Sequence, residues 1–425
     1  MMRADILILG ADELLTLDKQ AGFSPVRGKD MGKPVIVTDG AVAIEGNRIV
    51  ACGRTDDVLK DAEIHPGTTI IDACGKLVLP GFVDAHTHSC FVGTREDEFE
   101  LRNSGVSYME IAKRGGGINR SVEFVRRATF DELLDATLSH LDTMLEHGTT
   151  TVEVKSGYGL SAESEVKMLE VIKEADRLHP IDIVPTFLGA HEIPPEFAGR
   201  KRDYLDLVIN EMLPKVKREA LARFVDIFCE EGVFDIEDSR RYLESAKALG
   251  FGLKLHADEM ASLGGAELAA EVGAVSADHL VAISDRGIET LASSNTIPVL
   301  LPGTTFFLGL RNNAPARKLI EAGAPVAIAT DFNPGSNFCP SIPITLTLAC
   351  VNLKMTAAEA ITAATINAAF AIGKGNEVGS ITVGKKADIL ILDIPNHRML
   401  PYRYGVNPVL KVIKSGEVVV DFEGM

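Results

Sequence analysis

Apolar residues recur along this chain in two rhythms. Through residues 76–375, short runs rich in Val, Ile and Leu alternate with longer stretches whose apolar positions return every three or four residues. The first rhythm belongs to buried strands and the second to amphipathic helices. The β-branched runs predict strands near 78–86, 149–154, 182–188, 224–228, 253–257, 275–279, 297–301 and 325–330, and helices around 163–178, 238–249 and 357–371. A further helix opens on Thr129-Phe130-Asp131-Glu132, which has the spacing of a capping box. Leu134, Leu138, Leu141 and Leu145 predict its buried face, and Gly148 predicts its end. Eight strands separated mostly by helices predict an α/β fold, a (β/α)8 TIM-like barrel whose active site lies at the carboxyl ends of its strands.

Both ends of the chain read differently. Residues 1–75 predict short strands at 5–9, 14–17, 41–44, 48–51 and 68–71, with Glu45-Gly46-Asn47 as a tight hairpin turn. The same vocabulary returns at 379–392 and 409–420. A small β-sandwich domain built from both termini, 1–75 and 376–425, is therefore expected around a barrel of residues 76–375. The echo of Ala4-Asp5-Ile6-Leu7-Ile8 in Ala387-Asp388-Ile389-Leu390-Ile391 predicts that these two strands pair in one sheet.

With 46% hydrophobic and 24% charged residues, the 425-residue chain has the balance of a soluble globular protein. No apolar run approaches the roughly 20 residues that span a bilayer. A formal charge of -17 repels nucleic acid and anionic lipid, so neither is expected as a partner. An anionic substrate would need a locally placed cation. The opening Met1-Met2-Arg3-Ala4-Asp5 matches neither a secretory signal nor a transit peptide, which predicts a cytoplasmic protein. Six cysteines without any Cys-x-x-Cys predict reduced core thiols. Arg114-Gly115-Gly116-Gly117-Ile118 lacks the spacing of a phosphate-binding loop and is expected as a loop over the site.

Chemistry gathers at the strand ends. His86 and His88 follow the first strand with one residue between them, so in extended backbone both point to one face and can grip one cation. Of ten histidines, five (His86, His88, His191, His256 and His279) fall at or just beyond predicted strand ends, and the last strand closes on Asp331. Imidazoles with one carboxylate suit zinc or iron, with His256 and Asp331 completing the set begun by His86 and His88. Glu259, three residues beyond His256, sits where a hydrolase needs a group to carry a proton from water to a leaving nitrogen. His279 either orients the water, polarises a substrate carbonyl, or supports a ligand from behind.

Pro80-Gly81-Phe82-Val83-Asp84-Ala85-His86-Thr87-His88 resembles the first-strand signature of the amidohydrolase superfamily of metal-dependent hydrolases and deaminases. Further blocks are Phe91-Val92-Gly93-Thr94-Arg95, Gly115-Gly116-Gly117-Ile118, the stretch from Glu153 to Leu160, the stretch from Phe187 to Glu192, and the stretch from Ala329 to Ser336. Together they resemble the imidazolonepropionase family of histidine degradation. The resemblance implies hydrolysis of the cyclic amide C–N bond of 4-imidazolone-5-propanoate to N-formimino-L-glutamate by a cytoplasmic enzyme, often a homodimer. It implies one zinc or iron ion per chain on His86, His88, His256 and Asp331; by their places beside that set Glu259, His279 and Asp331 are expected as the catalytic groups. It implies Arg95, Tyr158, His191, Glu259, Asn333, Gly335 and Ser336 as contacts to a small anionic substrate. Binuclear relatives carry a modified lysine at the end of strand four, where this chain has Phe228-Cys229-Glu230-Glu231, so a second ion is not expected. Two alternatives remain. A purine or pyrimidine deaminase would use the same ligands, although Arg95 and the Gly-rich segment count against it. An inactive barrel scaffold should have lost ligands, and all four plus Glu259 are present.

Overall fold

A computed structural model describes residues 2–18, 22–106, 110 and 115–423. Eight parallel strands follow one another in chain order: β1 (Phe82–Thr87), β2 (Thr149–Lys155), β3 (Asp182–Ala190), β4 (Phe224–Cys229), β5 (Gly252–Ala257), β6 (Ser276–His279), β7 (Ile297–Leu300) and β8 (Ala327–Ile328). Each begins and ends within a few residues of the position its apolar run predicts. The ring closes just past β8, where Asp331 N donates to the His86 carbonyl at 3.0 Å and His88 N to the Phe332 carbonyl at 2.9 Å. Closure thereby sets His86, His88 and Asp331 side by side at the carboxyl end.

The predicted first strand, 78–86, is two strands. Leu77–Pro80 pairs with Ile389–Leu392 outside the barrel, and Phe82–Thr87 enters it. The chain changes partners at Gly81, whose N donates to the Asp388 carbonyl at 2.9 Å while Phe82 N donates to the Gly148 carbonyl at 3.0 Å. A Cβ at Gly81 would lie 2.2 Å from Thr150 Oγ1, so a larger residue there would meet the Thr150 side chain.

The termini form two facing sheets. One runs Glu417–Asp421, Val409–Lys414, Ile389–Leu392, Leu77–Pro80, Glu13–Leu15, Ile36–Val37, and the other Arg48–Arg54, Gly40–Glu45, Ile6–Ala11, Thr69–Asp72. The hairpin at Gly46 and Asn47 forms as expected, with Glu45 opposite Arg48 and Gly46 at φ 54°. The expected pairing of Ile6–Ala11 with Ile389–Leu392 does not occur, since they lie in different sheets. Their shared pattern has another cause. Ile6, Ile8, Ile389 and Ile391 meet in one buried cluster between the sheets, so both strands need the same alternation to fill it.

The helix after Thr129 has its capping box, and His147 and Gly148 end it, but its buried face is Leu133, Thr137, Leu141, Met144 and Leu145. Leu134 and Leu138 are only half-buried. Thr137 can occupy the buried stripe because its hydroxyl donates to the Leu133 carbonyl at 2.7 Å. The expected helix at 357–371 holds a widened turn at 363–367. Of the six cysteines only Cys90 and Cys229 are buried and Cys74 is exposed, so the expectation of six core thiols fails; all six are free. No described helix is long and apolar enough to cross a membrane.

Candidate metal centre and active site

Strand ends bring five donors together. His86, His88 and Asp331 can each aim one ligand atom so that all lie within 4.8 Å of one another, and so can His86, His256 and His279. His86 belongs to both sets. Asp331 Oδ1 lies 3.6 Å from His86 Nε2 and 3.5 Å from His88 Nε2, while Oδ2 accepts from the Thr304 hydroxyl at 2.5 Å. His86 Nε2 and His256 Nε2 are buried without a hydrogen-bond partner. Buried imidazole nitrogens left unpaired are costly, and a cation would satisfy them, so this donor set fits zinc or iron. Asp331 (φ 54°) and His279 (φ 76°) hold the left-handed region that side chains rarely adopt. Such strain persists where neighbouring bonds over-determine the backbone, as the β1 contacts do at Asp331.

Beneath the histidines lies a layer of charge that the apolar runs concealed. Glu153, Lys155, Asp226, Lys254 and Asp278 are all fully buried. Lys155 Nζ donates to Glu153 Oε1 and Asp226 Oδ2, both at 2.8 Å, and Lys254 Nζ donates to the Ala85 carbonyl at 2.9 Å and lies 3.2 Å from Glu153 Oε1. The carboxylates then reach the ligands: Asp278 Oδ2 is 2.6 Å from His86 Nδ1 and Asp226 Oδ2 is 3.0 Å from His256 Nδ1. Carboxylates behind imidazoles orient the rings. The available signal was charged residues set between apolar ones inside strand runs, as in Val152-Glu153-Val154-Lys155 and Leu253-Lys254-Leu255. In a barrel, such residues face the interior.

Burial holds His86 and His88 well below the usual histidine range, so both are free bases near neutrality. Burial also opposes charge on His256, but the Asp226 carboxylate outweighs it and raises this histidine. Burial pushes Asp331 up to about 6. An entering cation must displace protons from His256 and Asp331, so its affinity rises with pH and weakens as pH falls through about 6. Chelator competition at roughly pH 5.5 and pH 7.5 is expected to give tighter binding at the higher value. Equal affinities would contradict this proton count.

Glu259 follows Asp258, which stands at φ 50° and whose Oδ1 accepts from Leu263, Gly264 and Gly265 N at 2.9–3.1 Å. Glu230, at the end of β4, accepts from Met260 N at 2.8 Å and Ala261 N at 3.1 Å. Two buried acids thus fasten the loop that carries Glu259. Its own carboxyl is pushed up to about 8 by burial and by the nearby Asp331. His279 Nδ1 lies 3.6 Å from Glu259 Oε1, and burial lowers its pKa well below the usual histidine range.

The residues expected on the substrate side are also gathered here. The His191 ring stacks on His88 with centroids 5.0 Å apart, and Tyr158 lies 5.7 Å from His88 and 5.5 Å from His191. Burial lowers His191 to about 3. Arg95 is buried and donates Nε and Nη2 to Glu98 Oε2 at 3.0 and 2.7 Å, a partner the sequence reading missed. Its Nη1 edge rests on Gly335, where a Cβ would come within 2.1 Å. Glu98 Oε1 also accepts from Gly117 N at 3.1 Å, tying the Gly-rich stretch to Arg95; Arg114 of that stretch lies outside the described residues. Asn333 Oδ1 accepts from Gly335 N at 2.8 Å and Ser336 N at 2.7 Å, and its Nδ2 donates to Ser336 Oγ at 2.8 Å. The amides of Gly335 and Ser336, residues expected to contact the anionic substrate, are thus engaged within their own loop.

A closed parallel barrel with buried imidazoles and an aspartate at its strand ends defines a class of metal-dependent hydrolases. The chain belongs to the Amidohydrolase family, whose model matches residues 77–419. Within that family it belongs with the imidazolonepropionases. It is 52% identical over 424 residues to the imidazolonepropionase of Symbiobacterium thermophilum, covering 99% of this chain and 98% of the relative. It is 49% identical over 420 residues to that of Alkaliphilus oremlandii, covering 99% of each. An adenosine deaminase from Xanthomonas campestris, solved with bound zinc, shares the fold with a TM-score of 0.71 at 20% identity, over 99% of this chain and 93% of that one.

Proposed function

We propose that this chain hydrolyses the cyclic amide C–N bond of 4-imidazolone-5-propanoate, giving N-formimino-L-glutamate in the degradation of histidine. The observation that carries the reading is the 52% identity with an imidazolonepropionase over 424 residues. His86, His88, His256 and Asp331 hold the metal, one zinc or iron per chain. When bound, the ion acidifies a water and polarises the ring carbonyl. What supports single occupancy is the end of β4, where Glu230 is spent on the Met260 and Ala261 amides, while Lys155 and Lys254 are tied into the buried charge layer.

Glu259 takes a proton as water adds to the ring carbonyl carbon and returns it to the ring nitrogen as the C–N bond breaks. A carboxyl raised to about 8 by burial is suited to both halves of that exchange. His279, neutral in this burial, directs an N–H at the developing oxyanion. Tyr158 and His191 flank the ring beside His88, and the Asn333–Ser336 loop lines the same mouth. Ser336 Oγ is the group in that loop that contacts the opened product. Arg95 receives the propanoate through Nη1, the nitrogen that Glu98 does not engage and that lies beside Gly335. A cytoplasmic homodimer, with each chain divided near residues 75 and 375, completes the reading.

Arg95→Met tests the substrate assignment. A charge-assisted hydrogen bond contributes roughly 1.5–3 kcal/mol, so kcat/KM for imidazolone propanoate is expected to fall about 10- to 150-fold with the metal retained. Because the variant strands the Glu98 carboxylate in a buried site, Arg95→Met with Glu98→Gln provides a neutral control and is expected to show the same loss. An uncharged imidazolone lacking the propanoate should be a poor substrate for native and variant alike. Preference of the native protein for that uncharged ring would overturn the assignment.

A further inference from the structure

The turn that carries Tyr158 is gripped from both sides by residues outside the reacting centre. Glu165, wholly buried in the helix Ala162–Leu178, accepts from the backbone N of Gly157 at 3.1 Å and of Gly159 and Leu160 at 2.8 Å. Arg126, from the helix Ile118–Arg127, donates Nε to the Gly159 carbonyl at 2.7 Å and Nη2 to the Leu160 carbonyl at 3.0 Å. The amides of the turn thus meet an acid and its carbonyls meet a cation. His191 Nδ1 adds a sixth bond, to the Gly157 carbonyl at 3.0 Å.

The turn could not hold this shape unaided. Gly157 stands at φ 110° and Leu160 at φ 47°. A Cβ on Gly159 would lie 2.5 Å from Glu165 N. Strained backbone of this kind persists only where its surroundings over-determine it, and here two side chains do so. What they determine is the approach of Tyr158 and His191 to His88.

We propose that Glu165 and Arg126 are positioning residues for substrate recognition: by clamping residues 157–160 they set the distance at which Tyr158 and His191 meet the ring. The inference rests on the reading above that Tyr158 and His191 contact substrate. It predicts an effect on binding rather than on the proton transfers, because the clamp touches neither Glu259 nor the ligand set.

The test uses the full-length, metal-loaded protein and imidazolone propanoate. Glu165→Gln keeps the side chain's shape but turns an NH2 toward amides that need an acceptor. KM is expected to rise about 5- to 30-fold and kcat to change less than about threefold, with metal content unchanged. Arg126→Met, at a side chain 29% exposed, loosens the turn from its carbonyl side and is expected to move KM in the same direction even if Glu165→Gln folds poorly. A double-mutant cycle with Tyr158→Phe separates positioning from general loosening: coupling is expected, with the double variant close to the worse single one. If KM rises in Tyr158→Phe but stays level in folded Glu165→Gln and Arg126→Met, or if the effects simply add, the clamp is refuted. If KM stays level in Tyr158→Phe itself, the contact reading falls and takes the clamp with it.

Discussion

Replacing Glu259 with glutamine is expected to lower kcat by about 10²–10⁴, the range that general acid–base catalysis contributes, while the bound metal stays in place. Glutamine keeps the shape that the Asp258 and Glu230 anchors hold, so the loop should survive. What disappears is a carboxyl that burial and the Asp331 charge push up to about 8. No other carboxyl takes over, because Asp331 is engaged with Thr304 and the ligand histidines, and Glu230 with backbone amides. The loss falls in kcat, since the group moves protons without anchoring the propanoate. A fall of less than about fivefold, far below that range, would remove Glu259 from the proton path.

Asp331→Ala is expected to abolish activity and release the metal. Among the described residues the Asp331 carboxylate is the acid that forms a donor set with His86 and His88, and its backbone is joined to the His86 carbonyl. Its removal leaves three neutral imidazoles to hold a dication in a buried cleft with no anionic ligand among them. Asp331→Asn separates charge from geometry, since asparagine can still accept from Thr304. It is expected to keep the fold and to bind metal far more weakly than the native chain. Elemental analysis after dialysis reads both variants, and stoichiometric metal with full activity in Asp331→Ala would show that another residue closes the set.

The barrel strands were legible because they are buried on both faces and carry short clusters of apolar and β-branched residues between helical stretches. The ligand histidines were legible because they end such runs. Where the sequence misled, a local contact decided. The first strand splits at Gly81, where the backbone passes from one sheet to the other, and no periodicity reports a change of partners of that kind. Thr137 takes a buried helix position that an apolar count gives to its neighbours, since its hydroxyl is satisfied inside the helix. Ile6–Ala11 and Ile389–Leu392 share a pattern because they face one core, and the pattern is blind to whether strands sit beside or across from one another. The supporting acids of the site were the least legible. Glu98, Glu165 and Glu230 bind backbone amides or a buried guanidinium from loop and helix positions that resemble solvated surface in sequence.

Incubating the purified, metal-replete protein with 4-imidazolone-5-propanoate and identifying the product by mass tests the central claim most directly. The account predicts one water added per ring opened, N-formimino-L-glutamate as the sole product, and one equivalent of metal per chain. An intact imidazolone, or a purine or pyrimidine deaminated faster than the imidazolone is opened, would contradict it.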